Sequence, residues 1–319
     1  MPDEQPRQQP PSDAGATDNG GVGREEQTPP VTCPPFDPAR FHQRMTMDTW
    51  LIVAPLLAAF FVLIVMELWR DMGQAVGAGG WLVVLCLIGL WLWAVVRSRQ
   101  VMLRVPQITM LIDTAPSSAE DMLAAVLSRR VMERPLRWSL YHRLAMLRHR
   151  QGRMHEVVAI GNALLRHRIG GKSARILADQ HWRIRITRGA AGGSVRNHLL
   201  LIMTEAHLMV RDLHGMHRTL CELHRSKLSL VERLQLLALQ TRYELAAGYV
   251  SNVLVGSDEK VHLAEMMPAS QSGAMHMMLA LAAQRAGQTE FASWLRQRAR
   301  LLITDQQLKA LVPEAAQTS

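Results

Sequence analysis

The chain contains few of the residues on which β-rich and disulfide-bonded folds depend. Its 319 residues include five phenylalanines, three tyrosines and three cysteines. Aromatic side chains favour strands, whereas the Ala, Leu, Met, Arg and Gln of this chain favour helices. Cys33, Cys86 and Cys221 show no pairing framework, which fits a reducing compartment. The composition therefore predicts an all-α protein.

Motifs that mark a catalytic or nucleotide-binding site are also missing from the sequence. Gly189–Gly193, followed by Ser194, is rich in glycine but lacks the preceding strand and the following lysine of a phosphate-binding loop. No serine, cysteine or acidic residue stands at a spacing that marks a catalytic triad. An RNA-binding signature with interleaved aromatic residues does not occur either. We therefore expect a protein that is not an enzyme and that needs no cofactor.

Charge is almost absent from two long runs near the start of the chain. Trp50–Trp69 carries one charge, Glu67, and Trp81–Val96 carries none. About 20 apolar residues in a helix cross a bilayer core of roughly 30 Å, and the second run reaches that length if Gly77–Gly80 are included. A buried core helix seldom stays apolar on every side. The two runs therefore predict a transmembrane helical hairpin.

Basic residues flank the outer ends of this hairpin and are scarce in the loop between its helices. Two arginines precede the first span and three follow the second, whereas the loop carries only Arg70, beside Asp71. Positive flanks stay in the cytoplasm. We therefore expect a multi-pass protein of the cytoplasmic (inner) membrane with both termini in the cytoplasm. The flanking arginines are Arg40, Arg44, Arg97, Arg99 and Arg104.

Composition divides the whole chain into five predicted parts. Residues 1–38 hold nine of the fifteen prolines, and such a segment buries too little apolar surface to offset the entropy of ordering. The parts are a disordered Pro-rich tail at 1–48, the hairpin at 49–97 with spans at about 50–69 and 78–96, a juxtamembrane linker and first helix at 98–136, a helical repeat domain at 137–304, and a C-terminal tail at 305–319.

Helices separated by glycines are predicted for the region after the second span. Ser117 with Glu120, and Ser229 with Glu232, have the spacing of a capping box at the start of a helix. The predicted helices lie near residues 137–150, 154–168, 174–188, 195–213, 216–225, 230–247, 257–267, 272–286 and 289–303. The predicted breaks fall at Gly152, Gly189, Gly215, Gly248, Gly256 and Gly287.

Two of these helix pairs can be aligned on their turn glycines. With Gly152 placed on Gly287, Ala145 falls on Ala280, and small residues recur at the expected helix crossings. This pattern resembles the tetratricopeptide repeat, which has about 34 residues in a helix–turn–helix, and the resemblance covers residues 137–303. It implies a right-handed α-solenoid whose concave surface binds a protein partner. The residues expected at the repeat crossings and turns are Ala145, Gly152, Ala280, Gly287, Ala292 and Ala299.

A basic stretch follows the second span and dominates the charge of the chain. Residues 129–188 hold 15 Arg or Lys against three acidic residues. The stretch can be a solvated helical face, a surface for anionic lipid headgroups, or a surface for an acidic partner or nucleic acid. Its position near the spans favours lipid over nucleic acid. The arginines concerned are Arg129, Arg130, Arg143, Arg148, Arg150, Arg153, Arg166, Arg168, Arg175, Arg183, Arg185 and Arg188.

Four side chains near residue 220 form the tightest set of potential metal ligands. His214, His217, Cys221 and His224 lie on one side of a predicted helix, and imidazole and thiolate both bind zinc. One helix seldom supplies four converging ligands, however, and histidines often flank a core stripe. We therefore keep a metal site here as an alternative and predict none.

Taken together, these patterns predict a membrane-anchored cytoplasmic scaffold. Its repeat domain would bind an unidentified protein partner, with a basic surface close to the membrane. Two alternatives stay open: a helical membrane protein with a His/Cys metal site or an enzymatic role, and a basic domain that binds nucleic acid at the membrane.

Overall fold

The computed structural model describes residues 35–71, 78–128, 132, 134–167, 195–304 and 306–307. These ranges are helical and contain no strand, which confirms the all-α prediction. Most of the Pro-rich tail, the segment 168–194 with its predicted helix and its glycine run, and the end of the chain lie outside the described residues. The helices are α1 (Pro38–Asp71), α2 (Ala78–Thr114), α3 (Pro116–Leu127), α4 (Arg134–Arg150), α5 (Met154–Arg166), α6 (Val195–Met209), α7 (Leu213–His224), α8 (Leu230–Ala246), α9 (Val250–Leu254), α10 (Ser257–Glu265), α11 (Ala269–Arg285) and α12 (Thr289–Leu302).

The first two helices contain the apolar runs and are much longer than those runs. With 34 and 37 residues, each is about 50 Å long at 1.5 Å per residue. By length and composition, both can cross a membrane, and only 6% and 11% of their most apolar windows are buried. A core helix of a soluble protein would be mostly buried. The apolar windows of α1 and α2 are much more exposed than those of such a core helix.

Both long helices continue past the apolar runs into the helical domain. Phe41 and Met45 of α1, and Val101 and Ile108 of α2, belong to one apolar core together with Leu140 of α4. Two of the predicted parts are corrected here: residues 38–48, assigned to the disordered tail, belong to α1, and the start of the predicted juxtamembrane linker belongs to α2, which runs on to Thr114. The spacing of Val101, Val105, Ile108 and Ile112 explains the difference, since it is the three- and four-residue period of a helix face that packs on a core.

Four helix pairs share one kind of turn. The pairs α4–α5, α6–α7, α8–α9 and α11–α12 are each joined through a residue with positive φ: Gly152, Arg211, Gly248 or Gly287. At each turn the next backbone N–H donates to a carbonyl five residues back, as Arg153 does to Arg148 and Gln288 to Ala283, both at 2.9 Å. This Schellman motif ends a helix and favours glycine because its φ is positive.

The break that we expected at Gly215 lies four residues earlier. Helix α6 ends at Met209, the turn residue is Arg211, and the Asp212 side chain caps α7 by accepting from the Gly215 N–H at 2.9 Å. A Cβ on Gly215 would lie 2.3 Å from atoms of Asp212 and His207. Gly215 therefore serves close packing inside α7, and no glycine marks the true turn, which has Arg211 at this position.

Replacing Arg211 with glycine should stabilise the protein. Arg211 has φ +58°, and a left-handed conformation strains any residue with a Cβ, so we expect a gain of about 0.5–1 kcal/mol after the greater chain entropy of glycine is counted. Arg225 ends the same hairpin in the right-handed region, and Arg225→Gly is the matched control that should not stabilise. Urea unfolding of the full chain in detergent micelles measures both, and equal effects would contradict the explanation.

Of the two predicted capping boxes, one is correct. At α8, Ser229 accepts from the Glu232 N–H and the Glu232 carboxylate accepts from the Ser229 N–H. At α3 the box is wrong because the helix already begins at Pro116, with Ala115 at the N-cap and no side-chain cap. Proline at the first helical position has its φ fixed for a helix start, so it displaces the start from Ser117.

The alanines predicted at the helix crossings are buried, and successive hairpins are neighbours. Ala145, Ala280 and Ala299 are fully buried, and Ala292 is nearly so. Helix α5 packs on α6, α6 and α7 pack on α8, and α8 and α9 pack on α11. Each hairpin therefore covers part of the next one along the chain.

Candidate functional site

A groove of about 460 Å³ runs along the first helices of the four hairpins. Helices α4, α6, α8 and α11 all contribute to its lining, and the end of α2 contributes Ile112 and Asp113. Because every hairpin supplies its first helix, the groove is a shared surface of the array and not a gap within one hairpin. Its main apolar side chains are Ile112, Met146, Leu201, Ile202, Leu239 and Met278.

One ion pair and one histidine–carboxylate contact cross between helices in the groove. The Arg150 guanidinium lies 2.8 Å from Asp113, and His149 Nε2 lies 3.2 Å from Glu205 Oε2. The proximity of His149 lowers the pKa of the Glu205 carboxyl below its ordinary value, and burial opposes this shift. Arg242 also lines the groove and favours the ionised Glu205. The groove thus combines apolar side chains with charges of both signs.

His198 of α6 lines the groove and contacts His142 of α4. Its Nδ1 is 3.2 Å from Nε2 of His142, and the His142 ring stacks on Trp138. Burial lowers the pKa of His198 below its ordinary value; Glu232 opposes the shift and His149 adds to it. His198 is therefore neutral in the folded protein at pH 7.

Acidification should destabilise the helical domain because of His198. A histidine with a lowered pKa in the folded state contributes stability above its unfolded pKa near 6.5 and loses it as pH falls, since the unfolded chain then binds more protons. We expect roughly 1 kcal/mol less free energy of unfolding at pH 5.5 than at pH 7.5. Urea unfolding at both pH values measures the loss, and His198→Gln should reduce it. An unchanged pH dependence in that variant would contradict the assignment.

The basic surface predicted from sequence is wrong at two of its positions. Arg143 and Arg148 are buried, at 2% and 0% exposure. Arg143 donates to the Thr109 hydroxyl at 2.7 Å and to Ser139, and burial lowers its pKa to about 10. Seven of the other arginines lie outside the described residues: Arg129, Arg130, Arg168, Arg175, Arg183, Arg185 and Arg188.

Three arginines of that predicted surface do reach solvent at least in part. Arg150 is exposed and pairs with Asp113, while Arg153 is partly exposed and pairs with Glu156. Arg166 is exposed near the end of α5. The described arginines of the set are thus divided between the interior and the surface.

Arg148 is the centre of a buried charge network that sequence inspection missed. Its Nη1 donates to Glu120 Oε1 at 2.9 Å and to Gln151 at 2.6 Å, and its Nε lies 3.0 Å from Glu156. Gln151 in turn donates to Glu120 at 2.7 Å. The network links α4 to α3 and α5. Arg148 therefore joins these helices at a buried position where an apolar side chain is more usual.

A second buried ion pair joins α1 to α4. The Arg137 guanidinium contacts the Asp48 carboxylate, and both side chains are almost fully buried. Burial raises the pKa of Asp48, and Arg137 opposes the rise. Arg44 of α1 also donates to the Leu127 carbonyl at 3.2 Å. In the sequence, the feature that could have indicated this pair is Asp48, an acidic residue just before the apolar run of α1.

The structure does not gather the four candidate metal ligands around one point. Cys221 Sγ lies 3.6 Å from His217 Nε2, whereas His214 contacts Arg218 and His224 is exposed. Within the described ranges, no group of three or more His, Cys, Asp or Glu side chains could hold a metal ion. All four ligands come from α7 and are spread over about 15 Å of helix.

No family model, curated protein or solved structure matches this chain. The described residues therefore define the protein as an all-helical one, with two long apolar helices continuous with an array of helical hairpins. Its candidate site is the groove along the first helices of those hairpins.

Proposed function

We propose that this protein is a scaffold anchored in the cytoplasmic membrane by α1 and α2. In this proposal the hairpins form a tetratricopeptide-like, right-handed α-solenoid, and its groove holds a polypeptide segment of a partner protein. The observation that carries the proposal is the groove, because it draws on the first helix of every hairpin. Both termini lie in the cytoplasm, so the groove faces cytoplasmic partners.

The exposure of apolar side chains on α1 and α2 supports the anchor. Phe60, Phe61, Leu82 and Leu85 are all more than half exposed in the protein alone. Water is a costly environment for so much apolar surface, since burial contributes about 25 cal/mol per Å². The hydrocarbon core of a bilayer covers these side chains on every side that the hairpin leaves open.

Residues at the two ends of the spans support the orientation. Arg97 lies over the Trp93 ring at 5.1 Å, and this pair stands at the end of the second apolar run, where tryptophan and arginine prefer the headgroup level. At the opposite end Arg70 is paired with Glu67 at 3.1 Å. The excess of positive charge therefore belongs to the cytoplasmic end.

The hairpin array supports the solenoid. Four pairs of helices use the same left-handed turn, the alanines predicted at the crossings of two pairs are buried, and each pair packs on the next. Repeat proteins of this kind bind partners on an extended concave surface. In this proposal the groove along α4, α6, α8 and α11 is that surface.

The lining of the groove indicates the kind of segment that it fits. Met146 and Ile202 are partly exposed and offer apolar contacts, and methionine adapts to irregular partner surfaces. Gln235 and Gln271 carry both a donor and an acceptor, which suits peptide groups. A polypeptide segment with an apolar face and polar flanks matches this combination.

Photocrosslinking from the groove in native membranes tests the proposal. A photoreactive phenylalanine analogue at Gln235 should give one discrete protease-sensitive adduct. The same analogue at Arg233, on α8 but outside the groove lining and exposed, should give none. Ala238→Arg introduces a long charged side chain into the groove and should abolish the Gln235 adduct while leaving the circular dichroism unchanged.

Two results would overturn partner binding in the groove. One is an identical pattern of adducts from Gln235 and Arg233, which would indicate non-specific contact. The other is a Gln235 adduct that persists in full in the Ala238→Arg variant, which would place the partner elsewhere.

A further inference from the structure

Two large apolar side chains on α2 stay exposed beyond its apolar run. Leu103 is 78% exposed and Met110 is 72% exposed. They follow Val96 at steps of seven residues, so they continue one line of that helix. At 1.5 Å per residue, Met110 lies about 21 Å past Val96, too far for the hydrocarbon core to cover it.

Helix α2 has two opposite apolar faces, and the protein itself covers one of them. Val84, Ala94, Val101, Val105 and Ile108 face inward, toward α1 along the span and toward the helical domain beyond it. The other face follows a period of alternating three and four residues, which is that of a coiled-coil seam. It comprises Leu82, Leu85, Gly89, Leu92, Val96, Leu103, Pro106 and Met110, all exposed.

The positions beside this second face carry no charge. Gln100 and Gln107 flank it on one side beyond the apolar run, and Met102 and Thr109 flank it on the other. Arg97 and Arg104 fall at outward positions of the heptad, where they do not meet a facing helix. Arg99 falls at one seam position, at the level of the headgroups. Apart from Arg99, two identical faces of this kind bring no like charges together.

We propose that a second copy of this chain packs its α2 against this face, as a parallel helix pair. The inference rests on the proposed anchor, because a membrane holds all copies in one orientation and places equal residues at equal depth. Gly89 has open space where a Cβ would be, so two copies approach closely at mid-span. The seam from Leu82 to Met110 covers about four heptads, a length over which a repeated seam indicates a coiled coil.

The pairing has a consequence for the scaffold. Because α2 continues without a break into the domain core, a parallel pair of α2 helices holds two helical domains side by side. The dimer then offers two grooves, and a partner with two binding segments gains from their proximity.

Disulfide crosslinking of the full chain in membranes tests the proposal. Single cysteines replace Leu103 or Met110 in a background with Cys33, Cys86 and Cys221 changed to serine, and Arg104→Cys is the matched control on the adjacent face. Leu103→Cys and Met110→Cys should each give about ten-fold more linked dimer than Arg104→Cys on mild oxidation, since only seam positions bring the two sulfurs within bonding reach.

A second variant separates pairing from simple lipid contact. Leu103→Glu with Met110→Glu should leave circular dichroism unchanged, because both side chains are exposed, and should shift the detergent-solubilised protein from dimer to monomer in sedimentation. Equal crosslinking at Arg104, or a protein that is monomeric before any substitution, would overturn the proposal. Extraction of the unmodified chain by alkaline carbonate would instead overturn the anchor, so the two failures are distinguishable.

Discussion

Arg148→Met should lower the free energy of unfolding by about 3–5 kcal/mol, the cost of leaving buried charges uncompensated. Glu120 is nearly as buried as Arg148 itself, whereas Glu156 is partly exposed and also pairs with Arg153. Without Arg148, the buried Glu120 carboxylate loses the guanidinium that compensates its charge. Thermal unfolding of the full chain in micelles, followed by circular dichroism, should show a midpoint lower by roughly 10 °C.

Arg150→Met is the matched control for this prediction. Arg150 lies on the same helix and also pairs with one carboxylate at 2.8 Å, but its side chain is 62% exposed. Exposed ion pairs contribute about 0–1 kcal/mol, so the midpoint should hardly move. Equal losses in the two variants would show that burial of Arg148 is not the cause.

Arg137→Met should also cost about 3–5 kcal/mol, because it leaves the Asp48 carboxylate buried beside an apolar side chain. The loss should appear as loosening of α1 from α4, since this pair joins the two helices. Limited proteolysis in micelles should therefore cut near the start of α1 several times faster than in the unmodified chain. Adding Asp48→Leu should recover most of the stability, because well-packed apolar residues replace buried ion pairs at little cost.

The double variant makes this prediction specific. If the losses of Arg137→Met and Asp48→Leu simply add, the two residues act independently and the pair is not what joins the helices. Arg40→Ala is the surface control, since Arg40 pairs with Asp37 at 3.3 Å while largely exposed. It should change stability by less than about 1 kcal/mol.

The elements that the sequence predicted are those whose signal is local. The apolar runs of α1 and α2 need only composition, and three of the four turns carry glycine because positive φ excludes most other residues. The turn at Arg211 was missed because arginine is a poor marker of that conformation. Its position was set by the Asp212 cap and by the close packing of Gly215, which depends on His207.

The buried arginines were missed because their partners are distant in sequence. Arg148 meets Glu120 across 28 residues, and Arg137 meets Asp48 across 89. Before the fold is known, each arginine belongs to a basic stretch and a solvated face is the simplest expectation. The groove was hidden for the same reason, since four helices from residue 146 to residue 278 contribute to it.

Cysteine accessibility in intact cells tests the membrane anchor most directly. In a background without native cysteines, Gln74→Cys stands between the two apolar runs in the sequence, and Ser270→Cys lies at the exposed start of α11. A membrane-impermeant maleimide should label the first in intact cells and the second only after the membrane is opened. Labelling of Ser270→Cys in intact cells, or of neither site after the membrane is opened, would contradict a two-span anchor with the groove in the cytoplasm.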